Sequence, residues 1–570
     1  MRTYNNLRQD EKPKEFTDIR DLFRSSAQKF GSKPQYVFRE ADILREFTYE
    51  DFWRSMKEFG TALYSRGLTN SRIAIIGDTH PYWVVAFTSV ISCGSVAVPL
   101  DKELDDDEIV NFARRADCSA IVYTGVMNKK ISSLSDRLSF IKYFIPIHPS
   151  EDKPSAGCVM SFADFLNEGH ARLEAGDRRF EDSEIDMDKM CALLFTSGTT
   201  GSSKGVMLSH RNLTAATDAS CKSTFYDSHC KFVSVLPIHH TFELTCQHLA
   251  QGNLGGKTYI NESLRYATRN FKEFQPTTLV LVPLFLETVH KKIWEEIRKK
   301  GIEKKVRTAM ALALGLLKTG VDVRDKMFSD ITAAFGGKLK SIIVGGAPID
   351  PQIIKDFYAF GITVLQGYGI TECAPLVAVN RPGRVKFDSV GQVVENCEFK
   401  IEEMDGCEPG EGEILVRGLN VMLGYYEDEE ATAAVFTEDG FFRTGDIGTI
   451  DKQGYLTITG RKKNVIIASN GKNVFPEELE ERLGKIPEIK ESVVLQRESE
   501  NGSKIVAIIV PNTDVVGEDY NSDELCETLK EGIAKINKGL PSYKHIDKFE
   551  LRRKDFERNH SKKIKRFLLQ

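Results

Sequence analysis

The stretch LLFTSGTTGSSKGVML, residues 193–208, passes from a wholly apolar run into a loop of Ser, Thr and Gly, then through a single Lys back to apolar residues. The apolar run reads as a buried strand. The loop offers hydroxyl donors and backbone N–H groups that can close on an anion, and Lys204 adds a charge. It is not a Walker A loop. That pattern needs Gly-Lys-Ser/Thr opening directly into a helix, and here Ser203 precedes Lys204 and Gly205 follows it. Taken alone, the segment also reads as a solvated Gly/Ser linker.

On both sides of this loop, short apolar runs alternate with helical stretches. Strand candidates are RIAIIGD (72–78), SVAVPLD (95–101), SAIVYTG (119–125), CALLFTS (191–197), FVSVLPI (232–238), TTLVLVP (277–283), SIIVGGA (341–347) and ITVLQGYG (362–369). Amphipathic stretches such as FLETVHKKIWEEIRKK (285–300) lie between them. Alternation of this kind predicts parallel sheets covered by helices. After about residue 375 the texture changes to Gly-punctuated β segments such as GEGEILVRG and QGYLTITG. The expected fold is α/β: a large N-terminal domain of two parallel-sheet subdomains plus a small β-barrel, then a small mobile α+β domain. The expected bounds are 1–459 for the first, 460–463 for a hinge in the polar TGRKKN segment, and 464–570 for the second.

The bulk composition excludes several classes. A chain of 570 residues is too long for one ordinary core. With 77 Lys and Arg against 82 Asp and Glu, the net charge of −5 gives no general attraction to nucleic acid. No apolar run is long enough for a membrane span, and the first residues carry no apolar stretch for a secretory signal. The 11 Cys are scattered without a CxxC pair, so reduced thiols, no zinc and a cytoplasmic location are expected. A peripheral membrane contact stays open, although no long basic amphipathic helix with an aromatic face stands out. Nothing in the sequence speaks to the oligomeric state.

Ordered blocks along the chain resemble those of the adenylate-forming superfamily, which includes acyl-CoA synthetases, peptide-synthetase adenylation domains and luciferases. The phosphate-loop pattern T-S-G-T-T-G-x-x-K-G is met from Thr196 to Gly205. GGAP (345–348), QGYGITE (366–372), FFRTGDIG (441–448), GRKKNVIIASNGKNVFPEELE (460–480) and NHSKKIKRF (559–567) follow in the family's order. The resemblance implies ATP, Mg²⁺ and a carboxylic acid as reactants. Thr196, Ser197, Gly198, Thr199, Thr200, Gly201 and Lys204 would hold phosphates. Gly345, Gly346, Ala347, Gln366, Gly367, Tyr368 and Gly369 would line the adenylate, with Tyr368 against adenine and Thr371 on phosphate. Glu372 would hold Mg²⁺, which suits an oxygen ligand and few protein ones; read alone, it is equally a turn acid. Asp446 would accept the ribose hydroxyls, as a carboxylate can accept two donors, and Arg461 would reach the same ribose. Lys463 would be the pivot, and Gly471 would let pantetheine pass close to backbone. His240 resembles the gate of an acyl channel, beside His239.

The tail RNHSKKIKR is by default a solvated basic run. Its family pattern is roughly T-x-x-G-K-I-x-R, so alignment on Ile564 puts the catalytic lysine at Lys563, with Lys565 and Arg566 after it. Lys562 stands where the family usually has Gly, which leaves the choice between the two lysines open.

Among acids, NVMLGYYEDEEATAAVFTEDGFFRTGD and LVLVPLFLETVHKKIWEEI look most like long-chain fatty acyl-CoA synthetases. No clear Asp is present to pair with an amino group, against an amino-acid adenylation domain. The expected activity is therefore ATP-dependent formation of acyl-AMP, then transfer to CoA. An acyl carrier protein is the alternative thiol, and an impaired nucleotide- or acyl-binding homologue is the alternative of another class. Replacing Lys562 and Lys563 together by Ala should abolish acyl-AMP formation; production at the wild-type rate, followed by chromatography, would remove the tail from the reaction.

Overall fold

The computed structural model describes residues 13, 15–196, 203–224, 226–468, 472–499, 502–558 and 564–569. By contact the chain forms two compact units, Met1–Glu398 with Gly418–Ala434, and Phe399–Arg417 with Val435–Gln570.

In the first unit, β1 (Arg72–Ile76), β2 (Val96–Leu100), β3 (Cys118–Tyr123), β4 (Met190–Thr196) and β5 (Lys204–Ser209) belong to one sheet. β1 lies between β2 and β3 and runs parallel to both, and β2 meets β4 in parallel at Ala97 and Ala192. β4 and β5 are antiparallel, with Thr196 opposite Lys204. Strand order that departs from chain order makes this a doubly wound sheet, and its carboxyl ends are where such sheets take ligands. β1 and β2 are near-continuous apolar runs because helices cover both faces. Ile73, Ala74, Ile75, Ile76, Ala97 and Val98 are fully buried, each large aliphatic side chain contributing about 1.5–3 kcal/mol.

A second sheet holds β6 (Thr278–Leu281), β7 (Ser341–Val344), β8 (Thr363–Gly369) and β9 (Leu376–Val379). β6, β7 and β8 run parallel, and β9 turns back antiparallel. All eight strand segments expected from the sequence fall on strands. The hairpin Pro34–Glu40 and Ile43–Thr48 was not expected; it closes through Ala41 and Asp42, both at positive φ.

Three surface helices of the first unit start with reciprocal capping boxes, Thr48 with Asp51, Asp105 with Glu108 and Ser161 with Asp164. The helix α1 (His210–Thr224) follows β5 and is almost wholly buried. Two later helices, α2 (Pro283–Lys299) and α3 (Glu303–Lys318), lie between β6 and β7 in sequence. Among the described residues, no helix is long and apolar enough to cross a membrane.

In the second unit, β10 (Glu411–Gly418), β11 (Phe442–Ile450) and β12 (Tyr455–Arg461) pair antiparallel in the order β10-β11-β12. A smaller sheet pairs β13 (Ile489–Ser499) with β14 (Gly502–Pro511) antiparallel, and β14 with β15 (Lys548–Leu551) in parallel. α4 (Pro476–Leu483) and α5 (Ser522–Lys538) pack on it through Leu479, Leu483, Leu525 and Leu529.

Two histidines of the first unit, His210 fully buried and His80 half-buried, act as neutral acceptors. His210 Nε2 accepts the Ile19 N–H at 2.9 Å, and His80 Nδ1 accepts the Tyr82 N–H at 3.1 Å. Burial pulls the first imidazole down to about 4 and the second to about 3. Because both folded values lie below the ordinary 6.5, their contribution is intact above pH 6.5 and is lost as pH falls toward those values. The urea midpoint of the full chain should drop between pH 7 and pH 4.5, and His210→Gln should flatten that slope; an unchanged slope would remove His210 from the acid response.

Candidate active site

Three segments far apart in sequence meet at the end of the β4–β5 hairpin. Lys204 Nζ lies 4.4 Å from the centre of the Tyr425 ring, a cation–π distance. The Tyr425 hydroxyl donates to Glu372 Oε1 at 3.2 Å. Burial and the neighbouring carboxylate push the Tyr425 phenol well up, so it remains a donor. Backbone bonds fix the same meeting. Tyr426 N–H donates to the Gly205 carbonyl at 2.7 Å, Leu423 N–H to Met207 at 2.9 Å, and Met422 N–H to Glu372 at 2.8 Å. Gly424 and Tyr425 thereby form a short strand antiparallel to β5.

The hairpin is tied at both ends of its loop. Thr196 Oγ1 donates to the Lys204 carbonyl at 3.4 Å, and Arg115 donates to the Ser203 carbonyl at 2.9 Å while lying over Phe195. Ser197, Gly198, Thr199, Thr200 and Gly201 lie outside the described residues, as do Gly471, Lys562 and Lys563.

The carboxyl ends of β7 and β8 lie side by side, with Val344 opposite Gln366. This register brings Gly345 and Gly346 next to Gly367, Tyr368 and Gly369, and these five residues form one wall of a cavity. Its other walls are apolar, from Tyr226, Phe242, Cys246, Ile343, Leu376 and Val379, with Ser220 and Thr224 from α1. Gly369 is required by close approach, because a Cβ there would sit 2.2 Å from the Pro375 carbonyl oxygen. Gly346 has φ +86, a backbone state that favours glycine. Ala347 is exposed beyond this wall, and Gln366 is buried with its carbonyl accepting the Asn380 N–H at 2.9 Å. Thr371 and Glu372 stand in the short turn Thr371–Cys373, just past Gly369.

Cys246 enters the cavity from a π-helical turn, Leu244–Leu249, set between the helical turns Thr241–Glu243 and Ala250–Leu254. Such turns widen a helix and concentrate at functional sites. A buried polar network holds this one. Ser234 Oγ donates to Glu243 Oε1 at 2.5 Å, His248 Nε2 lies 3.4 Å from the same oxygen, and Tyr36 and His248 Nδ1 share a 3.2 Å bond. His240 precedes the first turn, its ring 4.4 Å from that of His239. Burial drives the His239 imidazole well down, so it is neutral where it faces Asp101 at 3.6 Å.

In the second unit, Asp446 and Arg461 are cross-strand partners in β11 and β12 and form a 2.7 Å ion pair. Asp446 is 1% exposed. Lys463 stands in the turn Lys462–Asn464 that follows, and Lys462 pairs with Glu413 at 2.7 Å. Near the tail, Arg566 pairs with the buried Glu480, whose other oxygen accepts the Val494 N–H at 2.6 Å. Lys565 N–H donates to the Glu557 carbonyl at 2.8 Å, and Arg558 bridges to Ile564.

Tyr425 and Cys246 were not singled out from the sequence. The signal for Tyr425 was a Gly directly before two Tyr in LGYYEDEE; Gly424 has φ +144, and a Cβ there would meet Thr432 at 2.7 Å. Nothing local marks Cys246.

Comparison with known proteins bears on this arrangement. Residues 23–426 match the family model described as AMP-binding enzyme, and residues 463–567 match that of the AMP-binding enzyme C-terminal domain. The chain is 28% identical to the chloroplastic long-chain-fatty-acid–[acyl-carrier-protein] ligase AEE15 of Arabidopsis thaliana, over 88% of this chain and 77% of that one. It is 29% identical to long-chain-fatty-acid–CoA ligase 5 of Mus musculus, over 85% and 76%. Among solved structures, an anthranilate CoA ligase bound to anthranoyl-AMP matches with a TM-score of 0.75 at 18% identity, covering 97% of this chain and 96% of that one. ATP-bound MatB from Rhodopseudomonas palustris matches with a TM-score of 0.73 at 21% identity, covering 97% and 98%.

Tyr425→Phe keeps the ring over Lys204 and removes the donor to Glu372. A hydrogen bond to a charged group is worth about 1.5 kcal/mol or more, so affinity for Mg²⁺-ATP should fall about tenfold. Tyr425→Leu should lose more. Titration calorimetry at wild-type affinity for both would detach Tyr425 from nucleotide binding.

Proposed function

Because the chain belongs to the AMP-binding enzyme family, we propose that it activates a medium- or long-chain fatty acid with ATP and passes the acyl group to the thiol of CoA. A carboxylate is a poor electrophile, since substitution at its carbon would have to expel oxide. In the first step a carboxylate oxygen attacks the α-phosphorus of ATP, and the bond to the β-phosphate bridge breaks. Pyrophosphate leaves and acyl-AMP remains. In the second, the thiol sulfur attacks the acyl carbon, its proton goes to solvent, and AMP departs. Catalysis of such steps is mostly positioning and charge neutralisation.

The observation that carries this reading is the row Lys204, Tyr425 and Glu372, beside an apolar cavity whose wall includes Gly369 and Tyr368. Lys204 and the hydroxyls of Thr196, Ser197, Thr199 and Thr200 hold the departing pyrophosphate in this scheme. Tyr368 faces adenine, and Asp446 and Arg461 take the ribose. Lys563 bridges carboxylate and α-phosphate oxygens. Rotation about Lys463, with 460–463 as hinge, withdraws Lys563, and Gly471 then borders the pantetheine path. His240 gates the acyl channel.

Mg²⁺ fits as an ion that arrives with ATP. Glu372 has one carboxylate oxygen engaged by Tyr425 and a second available for a cation, and no group of three or more His, Cys, Asp or Glu forms a metal cage among the described residues. When bound, the ion would neutralise charge on the triphosphate. An apolar cavity favours a hydrocarbon chain at about 0.8 kcal/mol per buried methylene. Transfer to the thiol of an acyl carrier protein is the second reading, and the Arabidopsis relative supports it.

Exchange of labelled pyrophosphate into ATP should require palmitate, proceed without thiol and be weak with acetate. Adding free CoA and holo carrier protein in parallel should yield thioester with CoA. Thioester with carrier protein alone would select the second reading, and no acid-dependent exchange would reject both.

A further inference from the structure

The helix α3 carries the run AMALALGLL over residues 309–317, with no polar side chain in nine positions. Such a run belongs in a core, and Met310, Ala313 and Leu317 are indeed buried. Yet the opposite side of the same helix is open. Ala311 and Gly315 are exposed, Leu312 is 57% exposed, and Leu314 and Leu316 are partly so. A surface helix ordinarily shows polar residues on that stripe. The apolar exposure continues past the helix at Val321 (51%) and Met327 (39%), and Leu284 at the start of α2 is 66% exposed.

Cations bracket this stripe. Lys304, Ala311, Gly315 and Lys318 share one face by their spacing of seven, four and three residues, and both lysines are exposed. Over residues 283–318, which span α2 and α3, nine Lys and Arg stand against four Glu, a net of +5 on a chain whose total is −5. An uncharged aliphatic stripe flanked by lysines, whose stems can lie along hydrocarbon while their heads stay in water, is the pattern of a helix that rests in a membrane interface. A second copy of this chain is a poor occupant, because a two-fold contact would set like charges against one another.

We propose that the α2–α3 pair docks on an anionic lipid bilayer, with the Leu312 stripe in the acyl boundary and Lys304, Lys305 and Lys318 on the headgroups. The surface lies outside the residues assigned to catalysis, and docking stands or falls apart from the ligase reading. Docking would bring a site for fatty acids to where such acids partition.

The test is sedimentation of the full chain with vesicles of phosphatidylcholine, with and without phosphatidylglycerol. Wild type should bind the anionic vesicles and lose binding as salt is raised. Leu312→Asp, and separately Lys304→Glu with Lys305→Glu, should each lower the partition about tenfold or more. Circular dichroism should show both variants folded; Leu312→Gln replaces the first if it is not. Wild type that ignores anionic vesicles, or variants that bind as well as wild type, overturns the proposal. So does a dimer in light scattering that Leu312→Asp disperses, or holo carrier protein binding that falls in the variants while vesicle binding does not.

Discussion

A cation, an aromatic ring and a carboxylate stand in a row in the first unit, Lys204, Tyr425 and Glu372, and the remaining site geometry is organised around them. Lys204 closes the β4–β5 hairpin, Glu372 ends the passage out of β8, and Tyr425 comes from a segment that crosses back after residue 418. Backbone bonds at Gly205, Met207 and Glu372 hold that segment against both. The Tyr425 ring lies against the Lys204 ammonium at a cation–π distance. A carboxylate engaged through one oxygen keeps the other for a cation. The row therefore sets a positive charge and a carboxylate oxygen side by side, the pairing to which the proposed reading gives a Mg²⁺-triphosphate.

The cavity beside the row shows a different use of the backbone. Its glycine-rich wall forms because β7 ends at Val344 opposite Gln366, which brings Gly345 and Gly346 beside Gly367 in the continuing β8, and Gly369 meets the Pro375 carbonyl more closely than any side chain would allow. Its far wall is aliphatic and aromatic, entered by Cys246 from a widened helical turn. Behind that turn, contacts among Ser234, Glu243, His248 and Tyr36 pair several of the polar groups buried in the core.

The second unit repeats the theme of paired charges held by strands. Asp446 and Arg461 face each other because β11 and β12 are in register. Arg566 is anchored on buried Glu480, so the end of the tail is tied to α4. Burial raises the Glu480 carboxyl even with an arginine against it, a sign that desolvation outweighs the attraction there.

What the sequence by itself determined was local and periodic: eight strands, the loop between β4 and β5, and the glycines and acids that fall where strands end. Those features were legible because apolar period, glycine and chain order are written along the chain. Tertiary structure decided what depends on meeting. Tyr425 acquired a role only when its segment paired with β5, and Cys246 only when a helix widened beside β7. The run AMALALGLL reads as interior in any one-dimensional account. Only packing shows that Ala311, Leu312 and Gly315 stay exposed among the described residues, since burial is a property of neighbours and a sequence does not name them.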